Sequence, residues 1–310
     1  MNKSKLSSRI KLKPGKQLFL LTLPFLILVF LFSYLPLAGW SYAFFEYRPG
    51  ISLADLEFVG LKYFLILIQD SHAISEMIRV MTNTFAMSFL TIIGSIFPVM
   101  FAVLLNEVRL KMYRRTVQTL MTLPHFISWV LIFSVVWSMF SVGDGFVNRL
   151  LLQMGAIDRG INFMGSSNNV WITQWIYAMW KSLVWSMIIY LAAIAGIDQE
   201  LYEAARIDGA GRFKTIIHIV VPALMPTFFV LLLLTIANFL NNGMEQYLIF
   251  SNPMNKASIE VLDLYVYNQG LLNARIPFAT AIGVLKSVVS VVLLFTANLA
   301  SKLVRGESIF

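Results

Sequence analysis

Six stretches of the chain are long and apolar enough to cross a bilayer: 18–40, 84–105, 117–140, 172–197, 222–242 and 277–301. A membrane-spanning helix needs about 20 mostly apolar residues, and each window reaches that length. Four contain no Asp, Glu, Lys or Arg, and the other two hold one Lys each, Lys181 and Lys286. The pattern predicts an all-α integral membrane protein with six transmembrane helices. The N-terminal basic run followed by Leu18–Trp40 has the order of a secretory signal, but its apolar part is too long and no small-x-small cleavage site follows. It reads as a retained first helix. Between the first two windows, 'FVGLKYF' (58–64) reads as an amphipathic segment lying at the membrane interface.

Composition agrees with the pattern. Of 310 residues, 58% are hydrophobic and only 13% charged, against about a quarter charged in soluble domains. That is too little charge to cover a globular surface in water, and a soluble enzyme, a disordered tail and a coiled coil all fit it poorly. The absence of Cys excludes disulfides and thiolate metal or redox sites. A net charge of +8 could suggest a nucleic-acid partner, but its distribution argues otherwise. Segments 1–17, 106–116, 198–221 and 302–310 carry 15 basic residues in 61 positions, whereas 41–83, 141–171 and 243–276 carry 7 in 108. Lys and Arg accumulate on the cytoplasmic side, so both termini are expected there. The domain plan is a cytoplasmic segment (1–17), one six-helix domain (18–301) and a cytoplasmic tail (302–310).

The cytoplasmic loop 198–222, 'DQELYEAARIDGAGRFKTIIHIVVP', is more specific. Asp198 and Glu200 suit the positive end of a helix dipole. Leu201, Ala204, Ala205 and Asp208 follow i, i+3, i+4, i+7 spacing and share one face, with small residues that let a partner approach. Gly209 suits the left-handed residue that ends a helix. A second short helix, 212–221, then leads to Pro222 at the start of the fifth span. The expected result is a helix–turn–helix elbow joined to a membrane helix.

Glu203-Ala204-Ala205, Gly209, Ile219 and Val221-Pro222 match the EAA loop of ABC importer permeases, EAA-x3-G-x9-I-x-L-P, with Val221 in place of Leu. Further stretches, 'FVGLKYF' (58–64), 'NTFAMS' (83–88) and 'TLPHFISWVL' (122–131), are similar to carbohydrate permeases of the maltose type. 'WSMIIYLAAIAGIDQELYEAARIDGAG' (185–211) resembles most the polysaccharide and oligosaccharide subgroup of the LplB type. The large extracytoplasmic insertion of some maltose-type permeases is missing, because only 43 residues separate the first two windows.

The resemblance implies the type I importer fold and a bacterial plasma-membrane location. It also implies a second permease subunit, commonly a different chain, two ATPase subunits that bind ATP and Mg, and an extracytoplasmic solute-binding protein that delivers a carbohydrate. No cofactor is then expected in this chain, and no nucleic-acid partner. Glu203, Ala204, Ala205 and Gly209 are the implied ATPase-coupling residues, with Arg206 and Asp208 adjacent to them. Consistent with this division of labour, no G-x4-G-K-[ST] loop occurs. His72, His125 and His218 are scattered rather than at metal-site spacing, and no nucleophile–base–acid arrangement stands out. The chain reads as a transport subunit, not an enzyme. The alternative is a secondary transporter or channel without ATPase subunits, which would require membrane carboxylates that the windows lack.

For the substrate pathway, Asn238, Asn242 and Glu245 fall at i, i+4 and i+7, followed by Gln246 and Tyr247. Amides and carboxylates pair with sugar hydroxyls, and aromatic faces stack on pyranose rings; Trp137, Trp175, Trp180 and Trp185 supply the aromatics. The competing readings are interhelical hydrogen bonding for Asn and interfacial anchoring for Trp. Lys181 and Lys286 either face a sugar or pair with an acid such as Glu245 or a residue of a partner chain, and the paired reading is preferred. His125, beside Pro124, reads as packing at a helix kink.

Overall fold

A computed structural model describes residues 14–47, 50–51, 55–165 and 169–305. The basic positions Lys3, Lys5, Arg9, Lys11 and Lys13, and residues 306–310 of the tail, lie outside them. The described chain is helical, with one isolated bridge between Phe45 and Phe58. Five helices are long and apolar enough to span: Gly15–Phe44, Ser71–Asn106, Val170–Ala195, Arg212–Ala237 and Ile276–Leu299. The third predicted window is instead two helices that meet at 106°.

The elements run α1 (Pro14–Val29), continued by a π turn to Tyr34 and a 3-10 stretch to Phe44, then α2 (Lys62–Gln69), α3 (Ser71–Gly94) and α4 (Ile96–Asn106). The broken third span is α5 (Lys111–Phe126) and α6 (Trp129–Phe140), followed by the short α7 (Phe146–Gln153). The central helix is α8 (Val170–Ala195), with α9 (Gln199–Ile207) and α10 (Arg212–Thr215) after it. The remainder is α11 (Val221–Ala237), three short helices α12 (Glu245–Phe250), α13 (Lys256–Ile259) and α14 (Leu262–Tyr267), and the long α15 (Ile276–Arg305).

Several boundaries differ from the hydropathy windows, each for a local reason. The second span starts at Ser71, not near 84, because Asp70 caps it by accepting the His72 N–H at 2.9 Å. The polar residues of its first turns are also paired: Arg79 bridges Glu76 and Glu260 at 2.6 and 2.7 Å. The expected separate helix 212–221 is continuous with the fifth span. A π turn at Ile216–Val220 precedes Pro222; the Pro222 ring would crowd the carbonyl four residues back, that of His218, and the widened turn relieves this. The amphipathic segment 58–64 is half turn, since its helix begins at Lys62, whose ammonium pairs with Glu46 at 2.8 Å.

Packing centres on α8, which contacts α3, α4, α5 and α11. One apolar cluster joins Val103 and Leu105 to Met187, Ile194, Val220 and Leu224, with Tyr202 of α9 against it. A second gathers Met87, Ile132, Val136, Phe250, Ile259 and Val261, so α12 and α13 fold back into the bundle at the end remote from α9. Asn83 is buried and joins this end together. It donates to the Ala257 and Glu260 carbonyls at 2.9 and 3.0 Å and accepts from the Trp171 indole at 3.1 Å. Leu and Phe side chains are exposed along much of the first span, as expected where lipid is the solvent.

The break in the third span has a specific cause. Pro124 lacks an N–H, and the backbone turns at Ile127 and Ser128 (ψ 137° and 156°). At this turn Pro124 O accepts the Ile127 N–H at 3.3 Å, and the carbonyls of the last turn of α5 otherwise run out of intrahelical donors. The Lys181 ammonium, on α8, takes them up: it donates to Pro124 O at 3.3 Å, His125 O at 3.1 Å and also Ile127 O. It lies 5.5 Å from the centre of the Trp129 ring. A cation at a helix C-terminus also matches the dipole. Glu245 is therefore not the partner of Lys181; within this chain its partners are carbonyls.

Two substitutions test this arrangement in the purified, lipid-reconstituted protein. Lys181→Met removes the donor from three carbonyls and should cost about 1–3 kcal/mol, lowering the thermal unfolding midpoint. Lys181→Arg should retain most of the stability. Equal midpoints for Met and parent would show that the break does not depend on the ammonium.

Candidate functional site

The loop after α8 builds a rigid elbow. Asp198 caps α9 by accepting the Glu200 N–H at 3.0 Å. At the other end the Ala210 N–H donates to Ala205 O at 2.8 Å and the Gly209 N–H to Arg206 O at 3.1 Å. These two bonds form a Schellman turn, with Gly209 in the left-handed region at φ +71°. A Cβ at 209 would meet nothing within 4 Å, so backbone conformation, not space, requires glycine. Glu203, Ala204, Arg206, Asp208 and Gly209 are exposed, and Ala205 is half-buried. Sequence reasoning missed the apolar character of this surface. Ile207 is 87% exposed and Phe213 74%, an unusual state for such side chains unless something covers them. Tyr202 turns the opposite way, into the bundle; burial pushes its phenol up, and the nearby Glu107 carboxylate adds to this.

The fifth span does not continue through 242. Its helix ends at Ala237, where Asn238 returns its side-chain amide to Leu234 O at 2.9 Å. Residues 238–244 form an irregular loop with Gly243 at φ +74°, and α12 begins at Glu245. Asn238, Asn242 and Glu245 therefore do not share a helical face. The sequence Asn-Asn-Gly at 241–243 is a turn signal that outweighs the apparent periodicity. The loop is fixed by side chains. The Ser88 hydroxyl donates to Phe239 O, the Asn242 amide donates to Ser88 Oγ at 3.0 Å, and the Gly243 N–H donates to Asp263 Oδ2 at 2.8 Å. Asp263 also pairs with Lys286. Lys286 thus has a carboxylate partner, but it is Asp263 and not Glu245, which is exposed at the start of α12.

Between the broken third span, α8, α3 and the end of α11 lies a cavity of about 790 Å³. Lys181, Asn238, Asn242, Gln246 and Tyr247 line it, as do His125, Trp129, Trp185 and Tyr190. The His125 and Trp185 rings stack in parallel, 4.8 Å apart and inclined by 5°. The kink at Pro124 thus builds an aromatic platform in the cavity wall. Hydroxyls of Ser88, Thr91, Ser95, Ser182, Ser186 and Thr235 add donors and acceptors. Gln246 is buried and its amide donates to Gln174 O and Oε1, each at 2.8 Å. Neither Trp137 nor Trp180 belongs to the lining; they are 56% and 47% exposed, and Trp137 packs on Phe133 at 5.9 Å. Trp175 packs on Phe97 instead. Trp129 and Tyr190 went unnoticed in the sequence, although Trp129 lies five residues beyond the kink-forming Pro124. Among the described residues, no Asp or Glu lines this cavity.

Residues 94–306 match the family described as binding-protein-dependent transport system inner membrane component. Protein LplB of Bacillus subtilis is 37% identical over 302 residues, 96% of this chain and 92% of that protein. The polygalacturonan/rhamnogalacturonan transport system permease protein YteP of the same organism is 37% identical over 306 residues, 97% of this chain and 92% of that one. Among solved structures, a bacterial ABC transporter involved in import of the acidic polysaccharide alginate superposes with a TM-score of 0.82 at 32% identity, over 94% of this chain and 96% of that one. The bacterial alginate ABC transporter in complex with an alginate pentasaccharide-bound periplasmic protein gives 0.83 at 32% identity, over 95% and 97%. Taken with the EAA-type elbow and the broken spans around a polar cavity, these findings place the chain: it belongs to the family of binding-protein-dependent transport system inner membrane components, the permease subunits of ABC importers.

Proposed function

We propose that this chain is one of two permease subunits that carry an oligosaccharide, or a fragment of a polysaccharide, across the bacterial cytoplasmic membrane by alternating access. Both termini and the elbow face the cytoplasm. Two ATPase subunits, which bind ATP and Mg, dock on α9 through Glu203, Ala204, Ala205, Arg206, Asp208 and Gly209. A solute-binding protein delivers the sugar from the other side. One observation carries the reading: the elbow and the cavity lie at the two ends of a single helix. The fifth span runs unbroken from Arg212 to Ala237, 26 residues, or about 39 Å at ~1.5 Å per residue. It starts three residues after Gly209 and ends next to the cavity residue Asn238. Displacement of the elbow by closing ATPase subunits would be passed along this rod to the cavity wall.

The substrate class is supported by cavity chemistry and by the relatives. Amides and hydroxyls beside the His125–Trp185 platform and Trp129 offer the mixture that sugars require. Among the described residues the lining holds one ammonium and no carboxylate, so acidic sugars such as those named for the alginate and polygalacturonan systems meet no like charge there.

Two experiments test the reading. Purification with co-expressed partners should recover a second permease and ATPase subunits, and the reconstituted complex should take up oligosaccharides in an ATP-dependent manner. Uronic-acid and neutral oligosaccharides of equal length are the probes. ATP-independent uptake by the lone chain would overturn the proposal. In the same complex, Gly209→Leu puts a branched side chain at a left-handed position, a strain of about 1–2 kcal/mol, and projects it into the docking surface. ATP hydrolysis should persist while uptake falls at least about tenfold, the effect of roughly 1.4 kcal/mol at the junction. Loss of membrane insertion would instead make Gly209 a folding determinant.

A further inference from the structure

The loop 238–244 carries Asn238, Asn241 and Asn242, all in the wall of the larger cavity, yet it belongs to no helix. Asn241 also lines a second cavity of about 550 Å³ on the other side of the loop, together with Trp40, Asp263, Thr280 and Lys286. The loop borders empty space on two faces; between them Leu240 is buried against Val80, Leu262, Phe278 and Ile282, while the asparagine positions are held by hydrogen bonds. Its bonds on one face run to Ser88. On the other face it is held at Gly243, whose N–H donates to Asp263 Oδ2 at 2.8 Å. The other oxygen of the same carboxylate, Oδ1, accepts from the Lys286 ammonium. Asp263 stands in the first turn of α14, and Lys286 in the apolar stretch of α15; their side chains are 19% and 14% exposed.

Resting on the reading of the larger cavity as the sugar path, we infer that Asp263 and Lys286 are positioning residues. Lys286 orients the carboxylate and Asp263 pins the asparagine loop to the sixth span through Gly243. An ion pair in this setting could simply neutralise a lysine in the membrane. The division of the two carboxylate oxygens says more, because one of them is spent on the loop backbone. When the sixth span shifts, the asparagine loop shifts with it.

The test does not require the sugar, and so it can fail independently of the proposed function. The native chain has no Cys, so Asn241→Cys supplies its single thiol for a nitroxide spin label, read in the lipid-reconstituted transporter with cysteine-free partner subunits. Its line shape reports nanosecond motion of the loop. In the otherwise native chain the label should be largely immobilised. In the double variant Asp263→Ala/Lys286→Met, no unpaired charge is left in the membrane, so the complex should assemble at native yield; the spectrum should nevertheless shift to a mobile line shape. A charge exchange, Asp263→Lys/Lys286→Asp, keeps an ion pair but places an ammonium, which cannot accept the Gly243 N–H, against the loop. It should loosen the label as well, and it serves if the first variant fails to assemble. Asp263→Asn/Lys286→Met retains an acceptor for Gly243 and should leave the label immobilised. A spectrum unchanged in both loosening variants would overturn the inference and reduce the pair to charge neutralisation.

Discussion

A backbone carbonyl freed at membrane depth needs a donor, and here the Lys181 ammonium supplies one where the third span turns by 106°. A lysine near the middle of a span costs about 2.5–3.5 kcal/mol on insertion scales, and orphaned carbonyls in hydrocarbon cost several kcal/mol each. Joined, each offsets the other. The same constraint governs the second irregular stretch, 238–244, where Ser88, Asn242 and Asp263 bond the backbone that α11 no longer satisfies. Irregular backbone at membrane depth survives only where protein or a water-filled space surrounds it, and these two stretches border the same cavity. The breaks make the cavity, and their polar partners furnish its walls.

What could be read from the sequence divides along the range of the interactions. Spans are a local property of composition, so hydropathy found five of them and the apolar content of the sixth. The elbow is also local. Asp198 as cap, the small residues of α9 and Gly209 at a left-handed position lie within twelve residues, and the Schellman bonds follow that order. The breaks are decided at longer range. Pro124 announces a kink, but the turn holds because of a lysine 57 positions away, and no periodicity reveals such a partner. Asp263 was similarly hidden. It falls in a stretch counted as outer loop, and only the folding back of α12 to α14 brings it against Lys286. The helical face inferred for Asn238, Asn242 and Glu245 failed because spacing was weighed above the Asn-Asn-Gly turn. The tryptophans show the same limit: four candidates were equivalent by composition, and only Trp185 is placed against His125.

The elbow and the cavity gain their meaning from the rod between them. α11 and its π-turn extension form an uninterrupted helix past Pro222 and Pro226. The widened turn that absorbs Pro222 keeps this helix continuous. Exposed Ile207 and Phe213 at one end call for a partner surface, and the amides at the other end call for a polar guest. α8 packs against three other spans: the second through α3 and α4, the third through α5 and the fifth through α11.

Central to this account is that the space behind the broken third span is an aqueous sugar path, not a lipid-facing groove. Ser186 lies in its wall on α8, and a Ser186→Cys variant of this cysteine-free chain isolates the question. In the assembled transporter in lipid, the thiol should react with a charged, water-soluble reagent. That reaction should slow when nucleotide closes the ATPase subunits or when an oligosaccharide and its binding protein are supplied. Reaction only with a lipid-soluble maleimide, unaffected by nucleotide or sugar, would contradict it.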